Sequence, residues 1–268
     1  MIVFPNCKIN LGLDILRKRV DGYHDLQTVF YPVPYTDMLE FVEAPEFRFD
    51  STGISIPSDH SSNLCVKAYS LMRERFPDLP AVHMHLHKII PMGAGLGGGS
   101  SDGAFTLSAL NQYFRKELSA SELIEISLKL GSDCPFFIIN KPVVAYGRGE
   151  VMEPVPLNLA GYTLVMIHPG IHVSTKDAFA GIVPRDAVAD LKHRITEPVD
   201  TWKNWLTNQF EETVGAKYPL ILEIKALLYR HGAVFASMSG SGSVVFGLFM
   251  DKPTIPVEKQ WKSITVTL

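Results

Sequence analysis

Pro91-Met92-Gly93-Ala94-Gly95-Leu96-Gly97-Gly98-Gly99-Ser100-Ser101 stands between an alternating stretch, 82–87, and a helically spaced one, 100–114. Of the 20 glycines in 268 residues, six fall between positions 93 and 103. A segment so rich in glycine can curl with positive φ and bring its backbone N–H groups against a ligand. The helix behind it adds unpaired N–H groups and the positive end of its dipole. Together these make an anion site suited to polyphosphate. A flexible connector is the plainer reading, but a linker is rarely bracketed by Pro91 and a Ser-Ser-Asp helix start.

Several known patterns match this run, and each demands its own context. Gly93-x-Gly95-x-x-Gly98 fits a dinucleotide fingerprint, which needs a strand ending in an acidic residue about 20 positions on. That region reads instead as helix, loop and helix. A Walker loop needs lysine after its last glycine, and Gly98 is followed by Gly99. No V-A-I-K, H-R-D or D-F-G segment of a protein kinase is present. Gly99-Ser100-Ser101-Asp102-Gly103 fits a nucleophile elbow, with Asp133 and His168 in the right chain order. An elbow follows its strand directly, whereas Ser101 lies more than ten residues past Lys88. A serine hydrolase using Ser101 therefore stands as the rival.

Outside the loop the chain reads as an ordinary globular protein. Hydrophobic residues make up 46%, enough for a sizeable core without disulfide staples. The 25 Lys+Arg against 28 Asp+Glu leave a net charge of −3, which argues against a dedicated nucleic-acid binder. Cys7, Cys65 and Cys134 form no C-x-x-C pair, the first residues lack a signal-peptide pattern, and no apolar run approaches the ~20 residues of a membrane span. A cytoplasmic setting is expected.

Alternation over 8–15 puts Ile9, Leu11, Leu13 and Ile15 on one face and Lys8, Asn10, Gly12 and Asp14 on the other, a half-buried strand. Strands are expected at 27–33, 38–42, 47–49, 82–87, 136–139, 143–146, 162–168, 233–238, 244–250 and 263–268, in largely antiparallel arrangement. Asn63 opens a helix closed by Pro77, and Ser119-x-x-Glu122 is a capping box opening another, stopped by Gly131. Helical patterns follow around 176–180, 202–213 and 220–230. The fold class is α+β in two domains, 1–155 and 156–268, divided where Pro154 and Pro156 interrupt the pattern. His83, His85 and His87 share a strand face, which reads as half-exposed surface rather than a metal site, since no carboxylate or cysteine lies nearby in sequence.

Three separated segments resemble the GHMP kinases: Pro5-Asn-Cys-Lys-Ile-Asn-Leu11, the loop 91–101, and Met238-Ser-Gly-Ser-Gly-Ser-Val-Val-Phe246. Within that family, Asp21-Gly-Tyr-His24 and Gly131-Ser-Asp-Cys-Pro135 look like the branch that phosphorylates the 2-hydroxyl of 4-diphosphocytidyl-2-C-methyl-D-erythritol, in the methylerythritol phosphate route to isoprenoids. Departures are small: Cys7 stands where Ala is usual, Asp25 where Glu is common, and the segment after Asp251 looks short.

The resemblance implies a ribosomal protein S5 domain 2-like N-terminal unit, a ferredoxin-like C-terminal unit, and ATP-dependent transfer with Mg²⁺ carried by the nucleotide. It implies Asp133 as general base, with Lys8 pairing with it and stabilising developing alkoxide charge. Pro91, Met92, Gly93, Ala94, Gly95, Leu96, Gly97, Gly98, Gly99, Ser100, Ser101 and Asn63 are implied to meet ATP. Ser100 and Ser101 are candidates for contact with the ion. Asn10, Tyr23, His24, Thr175, Phe179, Ser239 and Gly240 are implied to meet the alcohol, Tyr23 by stacking on cytosine and His24 by bonding its edge. Lys88 is expected near the nucleotide. The partners are thus two small molecules, with no nucleic acid or membrane, in a monomer or weak homodimer. A kinase for mevalonate or homoserine is the alternative inside the class, and Tyr23-His24 argues against it. A nucleotide-binding regulator on the same fold is the non-catalytic reading.

Overall fold

The computed structural model describes residues 1–56, 60–187 and 190–268. In chain order the elements are β1 (Ile2–Val3), β2 (Asn6–Lys18), β3 (His24–Thr36), β4 (Met38–Glu43), β5 (Arg48–Gly53), α1 (Leu64–Arg75), β6 (Val82–Lys88), α2 (Gly98–Tyr113), α3 (Ala120–Leu128) and α4 (Cys134–Ile139). They continue with β7 (Val143–Gly147), β8 (Val151–Pro154), β9 (Thr163–His168), α5 (Thr175–Phe179), α6 (Leu191–Arg194), α7 (Phe210–Lys217), α8 (Leu220–Arg230), β10 (Phe235–Met238), β11 (Val245–Phe249) and β12 (Lys262–Thr267).

Two compact units interleave along the chain. One comprises Met1–Cys7, Tyr35–Met92 and Gly97–Lys141; the other comprises Lys8–Pro34, Gly93–Leu96 and Pro142–Leu268. Within the second unit β3 pairs with β7, remote in sequence, from Leu26↔Gly147 to Phe30↔Val143.

The first unit holds a sheet of order β1-β4-β6-β5. β4 and β6 run antiparallel, but β5 and β6 are parallel, as the crossover through α1 allows. One sheet face buries Leu39, Phe41, Met84 and Leu86 against Ala68 and Met72 of α1 and Leu107 and Leu110 of α2. Local signals start the helices: Asn63 accepts the Cys65 N–H at 2.8 Å, and Ser119 with Glu122 makes the reciprocal capping box.

The second unit holds two sheets, β2-β3-β7-β8 and β10-β11-β9-β12. Ile221, Ile224 and Leu228 of α8 pack with Val165, Ile167, Ala236 and Val245 of the second sheet and with Leu13 and Ile15 of β2.

Four sequence expectations need correction. Residues 136–139 are not a strand but most of α4; Pro135 in the first turn suits a helix start, and Asn140 ends it in the left-handed region at φ 48°. The pattern at 202–213 is broken into a 3-10 turn, Val199–Asn204, and α7, because Asn208 bridges to β2 at Leu13, which bonds to Thr207 and Gln209 on either side. Helix α2 begins at Gly98, two residues earlier than its side-chain pattern suggests. Finally, β2 is buried on both faces: Lys8, Asn10 and Asp14 are 3%, 2% and 4% exposed.

Candidate active site

The glycine run leads directly into α2. Its N-cap, Gly97, is left-handed at φ 69° and brings no capping side chain, and the first turn holds no acidic residue. The positive end of a 16-residue helix is thus left for an anion from outside the chain. Gly99 is informative in this respect. Its backbone is helical, and a Cβ built on it would meet nothing within 4 Å. Neither conformation nor packing requires glycine there, and the space over the helix end is clear.

Beneath that turn lies a buried ionic cluster. The Lys88 ammonium, 1% exposed, donates to Asp102 at 2.7 Å and to Asp37. Asp37 also accepts the N–H groups of Ile89 and Ile90, tying the end of β6 to the cluster. Burial opposes the Lys88 charge, but the Asp102 and Asp37 carboxylates outweigh it and hold the pKa above the ordinary lysine range. Burial also pushes the Asp102 carboxyl up to about 8, with Lys88 opposing and Asp37 reinforcing the shift. Lys88 therefore spends its charge inside the protein, directly under the first turn of α2. Ser101, in the first turn of α2, is 0% exposed, so it is no exposed elbow nucleophile.

In the second unit, the middle of the loop meets the Ser-Gly-Ser-Gly turn. Gly95 has φ +80°, and a Cβ there would lie 1.9 Å from the Ser239 carbonyl oxygen, so only glycine fits. The Ser239 hydroxyl donates to the Gly95 carbonyl at 2.8 Å and accepts the Asn10 N–H at 3.2 Å. Lys8 Nζ donates to Gly95 O at 3.1 Å and to Asn10 Oδ1 at 2.5 Å, and lies 5.0 Å from the Phe30 ring centroid. Asn10 Nδ2 donates in turn to Thr28 Oγ1 at 3.0 Å. Lys8, Asn10, Gly95, Ser239 and Gly240 are thereby brought together around one buried ammonium.

Asp133 holds the N-cap position of α4 but makes no side-chain capping bond, so the simplest structural use of that carboxylate is not the one adopted. Cys134 beside it is a buried thiol, pushed up to about 12 by burial.

His24 stacks on Phe179 with centroids 4.7 Å apart and planes 18° apart. Thr175 opens the helix that Phe179 ends, and Tyr23, 56% exposed, lies 4.9 Å below the Arg148 guanidinium. Burial, helped by Lys18, holds the His24 pKa below its ordinary value, favouring the neutral imidazole. A neutral ring offers one donor and one acceptor, the complement of a pyrimidine edge. Asn63 is used as a helix cap. His83 pairs with Asp50 at 2.6 Å, while His85 and His87 both reach Thr52 Oγ1.

Sequence reasoning missed Asp37, Asp102, Thr28 and Arg148. Only Asp102, inside the helix start, carried a local signal.

The family model for the GHMP kinases N terminal domain matches residues 63–141, and that for the GHMP kinases C terminal matches 187–259. A 4-diphosphocytidyl-2-C-methyl-D-erythritol kinase from Cytophaga hutchinsonii is 51% identical over 94% of both chains. A solved 4-(cytidine 5'-diphospho)-2C-methyl-D-erythritol kinase superposes with TM-score 0.75 at 32% identity, covering 92% of this chain and 90% of that one. A homoserine kinase structure, also from Cytophaga hutchinsonii, reaches TM-score 0.69 at 16% identity, covering 98% and 95%, a likeness of fold alone. The two-domain α+β chain, with its glycine loop feeding an uncapped helix, belongs to the GHMP kinase family.

Proposed function

We propose that the protein transfers the terminal phosphoryl group of ATP to the 2-hydroxyl of 4-diphosphocytidyl-2-C-methyl-D-erythritol, a step of the methylerythritol phosphate route to isoprenoids. The observation that carries this reading is the 51% identity, over 94% of both chains, to a kinase named for that alcohol. The open first turn of α2 supports the phosphate side of the reaction, and the His24–Phe179 stack supports the pyrimidine side.

Phosphoryl transfer requires positioning, charge stabilisation and an acceptor for the hydroxyl proton. Asp133 takes that proton as the oxygen attacks the γ-phosphorus; the bond from phosphorus to the bridging oxygen breaks, and ADP leaves with the electron pair. Lys8 holds the charge developing on the attacking oxygen, and Asn10, Ser239 and Gly240 position the alcohol. Tyr23, His24, Thr175 and Phe179 receive the cytosine. Residues 91–101 and Asn63 meet ATP, the first-turn N–H groups facing its phosphates.

Mg²⁺ arriving with the nucleotide neutralises phosphate charge. Ser100 and Asp133, both partly exposed, are hard oxygen donors suited to it, whereas the Ser101 hydroxyl is sealed at 0% exposure. We divide the chain into domains 1–155 and 156–268, a reading supported by separate family matches over 63–141 and 187–259. Among the described residues no helix is long and apolar enough to cross a membrane; the reading is of a cytoplasmic monomer or weak homodimer.

ADP release with this cytidine alcohol, mevalonate and homoserine tests the reading, using wild type, Asp133→Asn and Lys8→Met. Turnover of the cytidine alcohol alone is expected, with kcat lowered about 10²- to 10⁴-fold but still measurable in both variants. Preference for another alcohol overturns the substrate, and wild-type turnover by Asp133→Asn overturns the mechanism.

A further inference from the structure

The turn that contacts Gly95 and Asn10 is Ser-Gly-Ser-Gly, which brings no large side chain to wedge it in place. Its orientation has to come from hydrogen bonds; besides those of Ser239 with Val244 and Gly242 and of Ser243 with Ile171, two side chains outside the proposed site contribute. Asn208, 1% exposed, donates from Nδ2 to the carbonyls of Met238 and Gly240, both at 2.8 Å. One turn on, at the start of α7, Glu211 accepts the Met238 N–H at 2.7 Å and the Ser237 hydroxyl at 3.0 Å through one oxygen, while the other holds Lys225. The segment carrying Asn208 is itself bonded to the strand that bears Lys8: Leu13 N–H donates to Thr207 O at 2.9 Å, and Gln209 N–H donates to Leu13 O at 2.8 Å. Strand and turn are thus referenced to a single piece of backbone.

We propose that Asn208 and Glu211 are positioning residues for Lys8: they orient the Ser239 turn and, through it, the Gly95 carbonyl and Asn10, two groups that accept from the Lys8 ammonium. The inference rests on the role given to Lys8 above. Asn208 suits the task because its amide donates two bonds in one plane, spanning both sides of Ser239. Aspartate at the same position has the same shape and no donor.

The test is steady-state ADP release by the full-length protein with ATP and the cytidine alcohol, alongside thermal unfolding. A displacement of Lys8 of about 1 Å lowers kcat about 10- to 100-fold. That loss is expected for Asn208→Ala and Asn208→Asp, with the KM for ATP changed by less than about threefold, since loss confined to kcat marks an interaction used in the transition state. In a Lys8→Met background, Asn208→Ala is expected to cost almost nothing further, because residues acting as a unit are non-additive. Glu211→Gln, which keeps an acceptor for the Met238 N–H, is expected to lose less than Glu211→Leu; Lys225→Met, which breaks only the outer ion pair, retains kcat. If Asn208→Ala does not fold, the Glu211 pair decides. A kcat unchanged in folded Asn208→Ala, an equal loss in the Lys8→Met background, or equal losses in the two Glu211 variants would overturn the proposal. A wild type that releases no ADP with this alcohol overturns the proposed function instead.

Discussion

Gly99→Ala separates ligand binding from folding with unusual clarity. The residue is helical, partly solvated at the N-terminal turn of α2, and surrounded by open space to 4 Å. Alanine exceeds glycine in a helix by about 0.5–1 kcal/mol, so the variant should be slightly more stable, with Tm raised by about 1–3 °C in a protein of this size. The added methyl group, however, stands where a phosphate would approach the first-turn amides. Losing one N–H bond to a charged acceptor costs about 1.5–3 kcal/mol, a rise of about 10- to 150-fold in the KM for ATP. The assay is paired: thermal unfolding without nucleotide, and initial rates of ADP formation across ATP concentrations. A higher Tm with an unchanged KM would refute the placement of phosphate at this turn. The contrasting variant is Gly95→Ala, whose Cβ would collide with the Ser239 carbonyl at 1.9 Å, and it should lower both Tm and kcat.

Asp133→Asn should lower kcat by about 10²- to 10⁴-fold, the usual worth of a general base, with the KM for ATP nearly constant in the same rate assay. Removing the stacking face by His24→Ala or Phe179→Ala should weaken the cytidine alcohol by about 1–3 kcal/mol, seen as a raised KM for it but not for ATP. Lys88→Met leaves Asp37 and Asp102 buried without their cation, and should cost about 3–5 kcal/mol in denaturant unfolding. Asp102 sets a pH dependence of its own. Its carboxyl is raised in the folded state to about 8 from 3.8, so folding takes up a proton, and the stability it contributes is full below pH 3.8 and lost as pH rises through about 8. Asp102→Asn lacks that loss; its Tm relative to wild type should therefore climb from pH 6 to pH 9, and a constant difference would show that Asp102 is ionised throughout.

Much of the local framework around the candidate site was legible because its signals are local. Glycine clustering, the Asn63 cap and the Ser119–Glu122 capping box each act within a few residues, and each appears where the pattern put it. The short apolar run at 136–139 was not legible, since a buried strand and a buried helix share that composition; Pro135 and a left-handed Asn140 decided it. Residues 202–213 misled for another reason. Helical spacing there is real at both ends, but hydrogen bonds to Leu13 compete for the middle.

The sequence by itself determined the glycine-rich loop, the helix that follows it and the residue types available for phosphoryl transfer, because positive φ, capping and helix dipole are properties of adjacent residues. Only the tertiary structure decided what the charged groups do. Lys8 and Lys88 looked like ordinary polar positions on alternating strands, yet both are buried, and their fates differ with their partners. Lys88 meets Asp37, 51 residues away, and is neutralised. Lys8 meets uncharged oxygens, among them the carbonyl of Gly95, itself held by Ser239 across 144 residues of chain. Both lysines are tolerated in the interior only because groups remote in sequence come to meet their charge. That meeting depends on which distant backbone turns inward, and no periodicity in the chain encodes it.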